Sequence, residues 1–231
     1  MKKKTRIMIG VSAVTAAAAA QGIMLYRAFH PKKEKGHADK KTIVCIGDSI
    51  TYGAGVKKNR RKDAWPYLLN GMTDSNTEVL NYGISGATML RKSDYPYRKS
   101  YYQAVEDIDP DELIVMLGTN DSKPQNWNAE EYEADYEAFL KRFLKEGRKI
   151  ILMVPPKAFL LEGKKEIAYK IQDSVIREEV IPCIWKLSEK YSLPVIDLYR
   201  LTEEHPEYFD DGVHPNVLGN RSIAECVFRQ L

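Results

Sequence analysis

Thr42-Ile43-Val44-Cys45-Ile46-Gly47-Asp48-Ser49 runs from an apolar strand straight into a polar turn. The first five residues do not alternate with polar ones, so both faces of the strand are expected to be buried. That pattern belongs to a parallel sheet covered by helices. Four later runs read the same way: Glu78–Tyr82, Glu112–Leu117, Lys149–Val154 and Leu193–Asp197. The run Glu112–Leu117 ends at Gly118, and Lys149–Val154 is stopped by Pro155-Pro156.

Helical patterns lie between these strands. Asn128 can cap a helix with Glu131 as its capping-box partner. Tyr132, Tyr136, Phe139, Leu140, Phe143 and Leu144 then recur at helical spacing, and Gly147 is expected to end the run. Gln172 to Tyr191 is a second helical stretch, which Pro182 should kink or restart. Asn216 can cap a last helix bearing Ile223, Val227 and Phe228. Strand–helix alternation predicts a doubly wound α/β fold: three layers, α/β/α, around a five-stranded, mostly parallel sheet. Ligands in such folds bind beyond the carboxyl ends of the strands.

The polar motifs fall there. Gly47-Asp48-Ser49-Ile50-Thr51 follows the first strand, Gly83-Ile84-Ser85-Gly86-Ala87-Thr88 the second and Gly118-Thr119-Asn120-Asp121 the third. Asp211-Gly212-Val213-His214-Pro215 lies near the C-terminus. Taken singly, Ser49 reads as a helix cap, Asn120 as a helix cap or loop stabiliser, Gly86 as a turn residue, and Asp211 and His214 as a surface turn or weak metal ligands. Their joint order after successive strands argues otherwise. A serine hydroxyl needs an adjacent base to act as a nucleophile. A free imidazole titrates near ~6.5 and suits that task. Asp211, three residues before His214, can orient the ring.

Taken together, the four segments resemble the blocks of the SGNH hydrolase (GDSL-type esterase/lipase) family, over essentially all of Lys41–Leu231. The resemblance implies a flavodoxin-like sheet and a Ser49–His214–Asp211 triad. It implies an oxyanion hole made by the backbone N–H groups of Ser49 and Gly86 and the side-chain amide of Asn120. The expected activity is hydrolysis of acyl or acetyl esters through an acyl-serine intermediate, on cell-surface glycans or lipids. An acyltransferase with the same triad and a non-catalytic carbohydrate-binding module are the competing readings. The α/β-hydrolase elbow does not fit, since it needs glycine two residues after the nucleophile and Thr51 stands there.

Neighbouring residues have other readings. Asp48 is expected to hold the nucleophile loop, and Asp121 to serve its loop or a cap. Asp210 competes with Asp211, and His205 with His214. Trp65 reads as core. Tyr95, Tyr97, Tyr101 and Tyr102 suit either a substrate rim or a helix packed on the sheet.

The 231 residues are 44% hydrophobic and 29% charged, as in a soluble domain, with a net charge of +3. Residues 1–41 hold ten Lys or Arg against two acidic residues, so the remainder is mildly acidic. That leaves no nucleic-acid footprint on the folded part. Lys2, Lys3, Lys4 and Arg6 precede an uncharged run, Ile7 to Tyr26. This reads as an export signal, with Ala18-x-Ala20 as a cleavage point, or as an uncleaved membrane anchor. Both flanks are basic, so charge does not set the orientation. An N-terminal signal normally exports the domain behind it, which implies a membrane-anchored or secreted protein with an extracytoplasmic catalytic domain. Pro31–Lys41 reads as a linker, which places the domain boundary at residues 40 and 41. Cys45, Cys183 and Cys226 form no disulfide framework or zinc pattern, and no metal or cofactor is expected. A monomer is the expected state.

Overall fold

Five strands form the sheet: β1 (Lys41–Gly47), β2 (Thr77–Gly83), β3 (Glu112–Met116), β4 (Lys149–Val154) and β5 (Val195–Asp197). Every pairing is parallel and the order is β2-β1-β3-β4-β5. The sheet is therefore wholly parallel, in the flavodoxin-like order. The computed structural model describes residues 18, 19 and 21–231.

The main helices are α1 (Trp65–Met72), α2 (Lys99–Ile108), α3 (Ala129–Phe143), α4 (Ile181–Tyr191) and α5 (Val217–Phe228). Alternate strand residues point to opposite faces. Ile43, Cys45, Ile114 and Met116 pack with Trp65 and Leu69 of α1 and Ile223 and Val227 of α5. Val44, Ile46, Val115 and Leu152 pack with Val105 of α2, Tyr136 and Phe139 of α3 and Ile184 of α4. The unbroken apolar strands thus serve two cores, one on each side. Burying each large aliphatic side chain contributes roughly 1.5–3 kcal/mol.

Boundaries differ from the sequence expectations in three places. Helix α3 starts as expected, with Asn128 Oδ1 accepting the Glu131 N–H at 3.0 Å, but stops at Phe143 rather than at Gly147. Arg148 ends it there, because its guanidinium donates to the Phe143 carbonyl at 2.9 Å. Gly147, at φ +78°, serves the turn into β4. The stretch Gln172–Tyr191 is not one helix. A helical turn over Asp173–Val175 leads into a π-helical turn over Ile176–Val180, and α4 begins at Ile181 with Pro182 in its first turn. Proline lacks the N–H that a continuous α-helix would use, and the wider turn absorbs the break. Finally, β5 starts at Val195, since Pro194 offers only its carbonyl, to Leu152 N–H at 3.0 Å.

The edge strand β2 is covered by the chain that precedes β1. Residues 21–29 are helical, and the following segment, read above as a linker, lies along β2. Asn81 N–H donates to Glu34 Oε2 at 2.8 Å, and Tyr82 hydroxyl donates to the Glu34 carbonyl at 2.7 Å. Tyr67 hydroxyl donates to Glu34 Oε1 at 2.5 Å. Further along, His37 contacts the Glu78 carboxylate through both its backbone N–H and its ring. Ala28 and Pro31 are buried. This strap satisfies an edge that would otherwise offer unpaired backbone groups to another strand. Of the proposed export or anchor segment, residues 1–17 and 20 lie outside the described residues. Among the described residues no helix is long and apolar enough to cross a membrane.

Candidate active site

The chain leaves β1 through Gly47, which no other residue could replace. A Cβ there would lie 2.1 Å from Thr51 Oγ1 and 2.9 Å from the Met116 carbonyl. Asp48 caps the helical turn Ser49–Tyr52, its Oδ1 accepting the Ile50 N–H at 2.8 Å. Ser49 is thereby presented at the first position of that turn, beyond the end of the sheet. Burial pushes the Asp48 carboxyl up to about 6, against the opposing pull of the Ile50 N–H.

His214 faces Ser49 from the C-terminal loop, with Nε2 2.9 Å from Ser49 Oγ. Its Nδ1 lies 2.7 Å from Asp211 Oδ2. Asp211 Oδ1 accepts the backbone N–H groups of Val213 and His214, at 3.0 and 2.7 Å. Burial alone would raise the Asp211 carboxyl. The hydrogen bonds and positive charge of His214, with these N–H groups, hold it well below the usual carboxylate range. An ionised Asp211 fixes a proton on Nδ1 and leaves the Nε2 lone pair directed at the Ser49 hydroxyl. The arrangement can therefore draw the proton from Ser49 as its oxygen attacks an electrophile.

Gly86 follows β2 at φ +80°, a conformation that L side chains rarely adopt. Among the described residues, neither the Gly86 N–H nor the Ser49 N–H donates to a protein acceptor. Asn120 lies beside both segments, its Nδ2 3.2 Å from the Ala87 carbonyl and 3.5 Å from Asp48 Oδ2. Donors of this kind suit a developing oxyanion.

Other candidates are engaged elsewhere. Asp210 Oδ1 accepts from Asn216 Nδ2 at 2.9 Å, and His205 pairs with Glu207 at 2.8 Å while stacking on Tyr208. Asp121 is a loop residue, as read from the sequence. Its two carboxylate oxygens accept the Met89 and Leu90 N–H groups at 3.1 and 2.7 Å, which fixes the segment after Gly86. Burial pushes its carboxyl up to about 7. Trp65 is fully buried core. Tyr97 and Tyr101 are also buried, and Tyr102 packs at a tilt against Phe139 and Phe143. Only Tyr95 stays near the site, edge-on to Phe29 of the strap, whose ring would meet a Cβ on Gly86 at 3.2 Å. Among the described residues, no group of His, Cys, Asp or Glu is placed to hold a metal ion.

Two residues of the site carry no sequence signal. Asn220 on α5 is fully buried. It accepts the Trp65 N–H at 2.9 Å and donates to the Pro215 and Asn216 carbonyls at 2.7 and 2.9 Å. It thus ties the loop bearing His214 to α1. Tyr169, far from any motif, touches both Asp211 and His214.

The profile of the GDSL-like Lipase/Acylhydrolase family matches residues 45–221. The chain belongs to this family. The match takes in all four segments, from the strand before Ser49 to the helix after His214. An acetylxylan esterase of Xylanibacter ruminicola is 33% identical over 207 residues, which cover 80% of this chain and 42% of the relative's length. The thioesterase 1/protease 1/lysophospholipase L1 of Escherichia coli K12 is 26% identical, covering 82% of this chain and 83% of that protein. Among solved structures, the M. smegmatis aryl esterase superposes with a TM-score of 0.68 at 20% identity, covering 82% of this family member and 97% of the esterase. At that identity the likeness speaks for the fold.

Proposed function

We propose that this chain is a serine ester hydrolase that removes short acyl groups, acetyl above all, from carbohydrate esters. The observation that carries the reading is the 2.9 Å contact between Ser49 Oγ and His214 Nε2, with Asp211 2.7 Å behind the ring. Ser49 Oγ attacks the ester carbonyl carbon as His214 Nε2 takes its proton. The carbonyl oxygen becomes an oxyanion facing the N–H groups of Ser49 and Gly86 and the amide of Asn120. Collapse breaks the bond to the alcohol oxygen, which receives the proton from His214. Water, deprotonated by His214, then attacks the acyl-serine; the bond between the acyl carbon and Ser49 Oγ breaks, His214 returns the proton to Oγ, and the carboxylic acid is released.

The acetyl and carbohydrate preference is supported by the acetylxylan esterase relative and by the tightness of the site. Ser49 is only 7% exposed, and Phe29 packs against Gly86. Location beyond the cytoplasm is supported by the basic start and the uncharged run Ile7–Tyr26. The test is hydrolysis of p-nitrophenyl esters from acetate to octanoate, with Ser49→Ala alongside. Turnover is expected to be greatest on acetate and abolished in the variant. Activity that survives Ser49→Ala would overturn the serine mechanism, and a preference for octanoate would overturn the acetyl assignment.

A further inference from the structure

The loop after β4 brings a tyrosine onto the triad from outside every motif. Its course is pinned on both sides. Phe159 N–H donates to the Gly212 carbonyl at 2.8 Å, and Gln172 N–H donates to Ser122 Oγ at 3.2 Å. Ala158 N–H donates to Asp173 Oδ1 at 2.9 Å. Between these anchors, Tyr169 and Lys170 both adopt left-handed conformations, at φ +61° and +60°. Two consecutive non-glycine residues in that region are disfavoured, and surrounding contacts must hold them there. Here they turn the Tyr169 side chain back over the site. Its ring lies edge-on to the His214 imidazole, with centroids 5.0 Å apart, and its hydroxyl donates to Asp211 Oδ2 at 3.2 Å. The residue nevertheless stays 56% exposed.

Chemistry says which half of the substrate passes beside that ring. His214 Nε2 must return a proton to the departing alcohol oxygen, so the alcohol half of the ester lies next to the imidazole. The acyl oxygen points the other way, to Gly86 and Asn120. Tyr169 is an aromatic side chain in contact with His214. An aromatic ring on a residue that stays 56% exposed suits the apolar face of a sugar ring. We propose that Tyr169 is a specificity-determining residue that receives the alcohol half of the substrate, a pyranose or similar cyclic polyol, against its exposed ring. Its hydroxyl meanwhile restrains Asp211. This assignment rests on the ester-hydrolase reading above.

The experiment compares wild type, Tyr169→Phe and Tyr169→Ala on p-nitrophenyl acetate and on acetylated xylo-oligosaccharide, following acetate release. Both substrates deliver the same acyl group, but p-nitrophenolate leaves without help and is flat and small. Tyr169→Ala is expected to lower kcat/KM on the sugar ester about tenfold, mainly through KM, and on p-nitrophenyl acetate less than about threefold. Tyr169→Phe keeps the ring and is expected to keep most of the sugar preference. Equal losses on both substrates in Tyr169→Ala would mean a structural role and overturn the proposal. So would a Tyr169→Phe variant as impaired on sugar as Tyr169→Ala, or a wild type that cleaves p-nitrophenyl acetate but not the sugar ester. A wild type that cleaves neither would overturn the ester-hydrolase reading itself, and this assignment with it.

Discussion

His214 lies between two side chains, with Nε2 2.9 Å from Ser49 Oγ and Nδ1 2.7 Å from Asp211 Oδ2, and the Asn120 amide lies beside Asp48. Asn120→Ala is expected to reduce kcat by ~10²–10³, the usual consequence of removing one oxyanion donor. Losing its hydrogen bond to the buried Ala87 carbonyl should also lower stability by ~1–3 kcal/mol while leaving the chain folded at assay temperature, and thermal unfolding beside steady-state kinetics separates the two effects. Because only neutral imidazole can accept the Ser49 proton, kcat/KM should fall on the acid side. A profile flat from about pH 5 to 9 would remove His214 as the base. Asp121 adds a stability effect of opposite sign to the usual carboxylate case. Its carboxyl titrates at about 7 when folded, against ~3.9 in an unfolded chain. The native state therefore binds more protons in between, and stability is lost as pH rises from about 4 to 7. Asp121→Asn removes that titration, so urea unfolding of the variant should lose less stability over this window than wild type. Ser49 was legible because its short motif directly follows a strand, and Asp211 and His214 because they fall together in one short motif near the C-terminus. Tyr169 and Asn220 were not. Tyr169 lies 42 residues from Asp211 in the chain, and Asn220 lies 155 from the N–H it accepts. Such distances leave no local pattern to read.

Local rules located most elements, and they failed where tertiary contacts decided the boundary. The Asn128 cap was readable because its partner Glu131 is three residues away. Asn128→Ala should cost about 1 kcal/mol of stability and leave turnover intact, by chemical denaturation and esterase assay together. The end of α3 was not readable, because the Phe143 carbonyl is claimed by Arg148 from the following turn. Asn220→Ala strands the Trp65 N–H and two loop carbonyls in a buried place. It is expected to destabilise by roughly 2–3 kcal/mol, since unsatisfied buried groups cost ~1–3 kcal/mol each with partial relaxation. Unlike the Asn128 variant, it should also lower kcat, because the loop it ties to α1 carries His214.

Taken whole, the molecule begins its packing before its first strand. Composition marked Pro31–Lys41 as a polar connector, yet its one useful acid, Glu34, meets Asn81, Tyr82 and Tyr67. A lysine-rich stretch hides such contacts, since the partners lie more than thirty residues away. A chain starting at Lys41 should melt on the order of 5–10 °C below one starting at Gln21. The size of that shift comes from a few lost hydrogen bonds at ~1 kcal/mol each and ~2–4 °C per kcal/mol.

The strap also bears on reach. Tyr26 closes the uncharged run, and Phe29 already lies against Gly86. Were the run to sit in a membrane, only about 5 Å of helix would separate lipid from the oxyanion donors. A loose tether of about twenty residues would let the domain sweep some ~25 Å around its anchor point. Among the described residues no such leash separates the helix over 21–29 from the domain. Its catalytic mouth would keep one height and one attitude, and esters within that thin shell would meet it at high effective concentration while those beyond it would not.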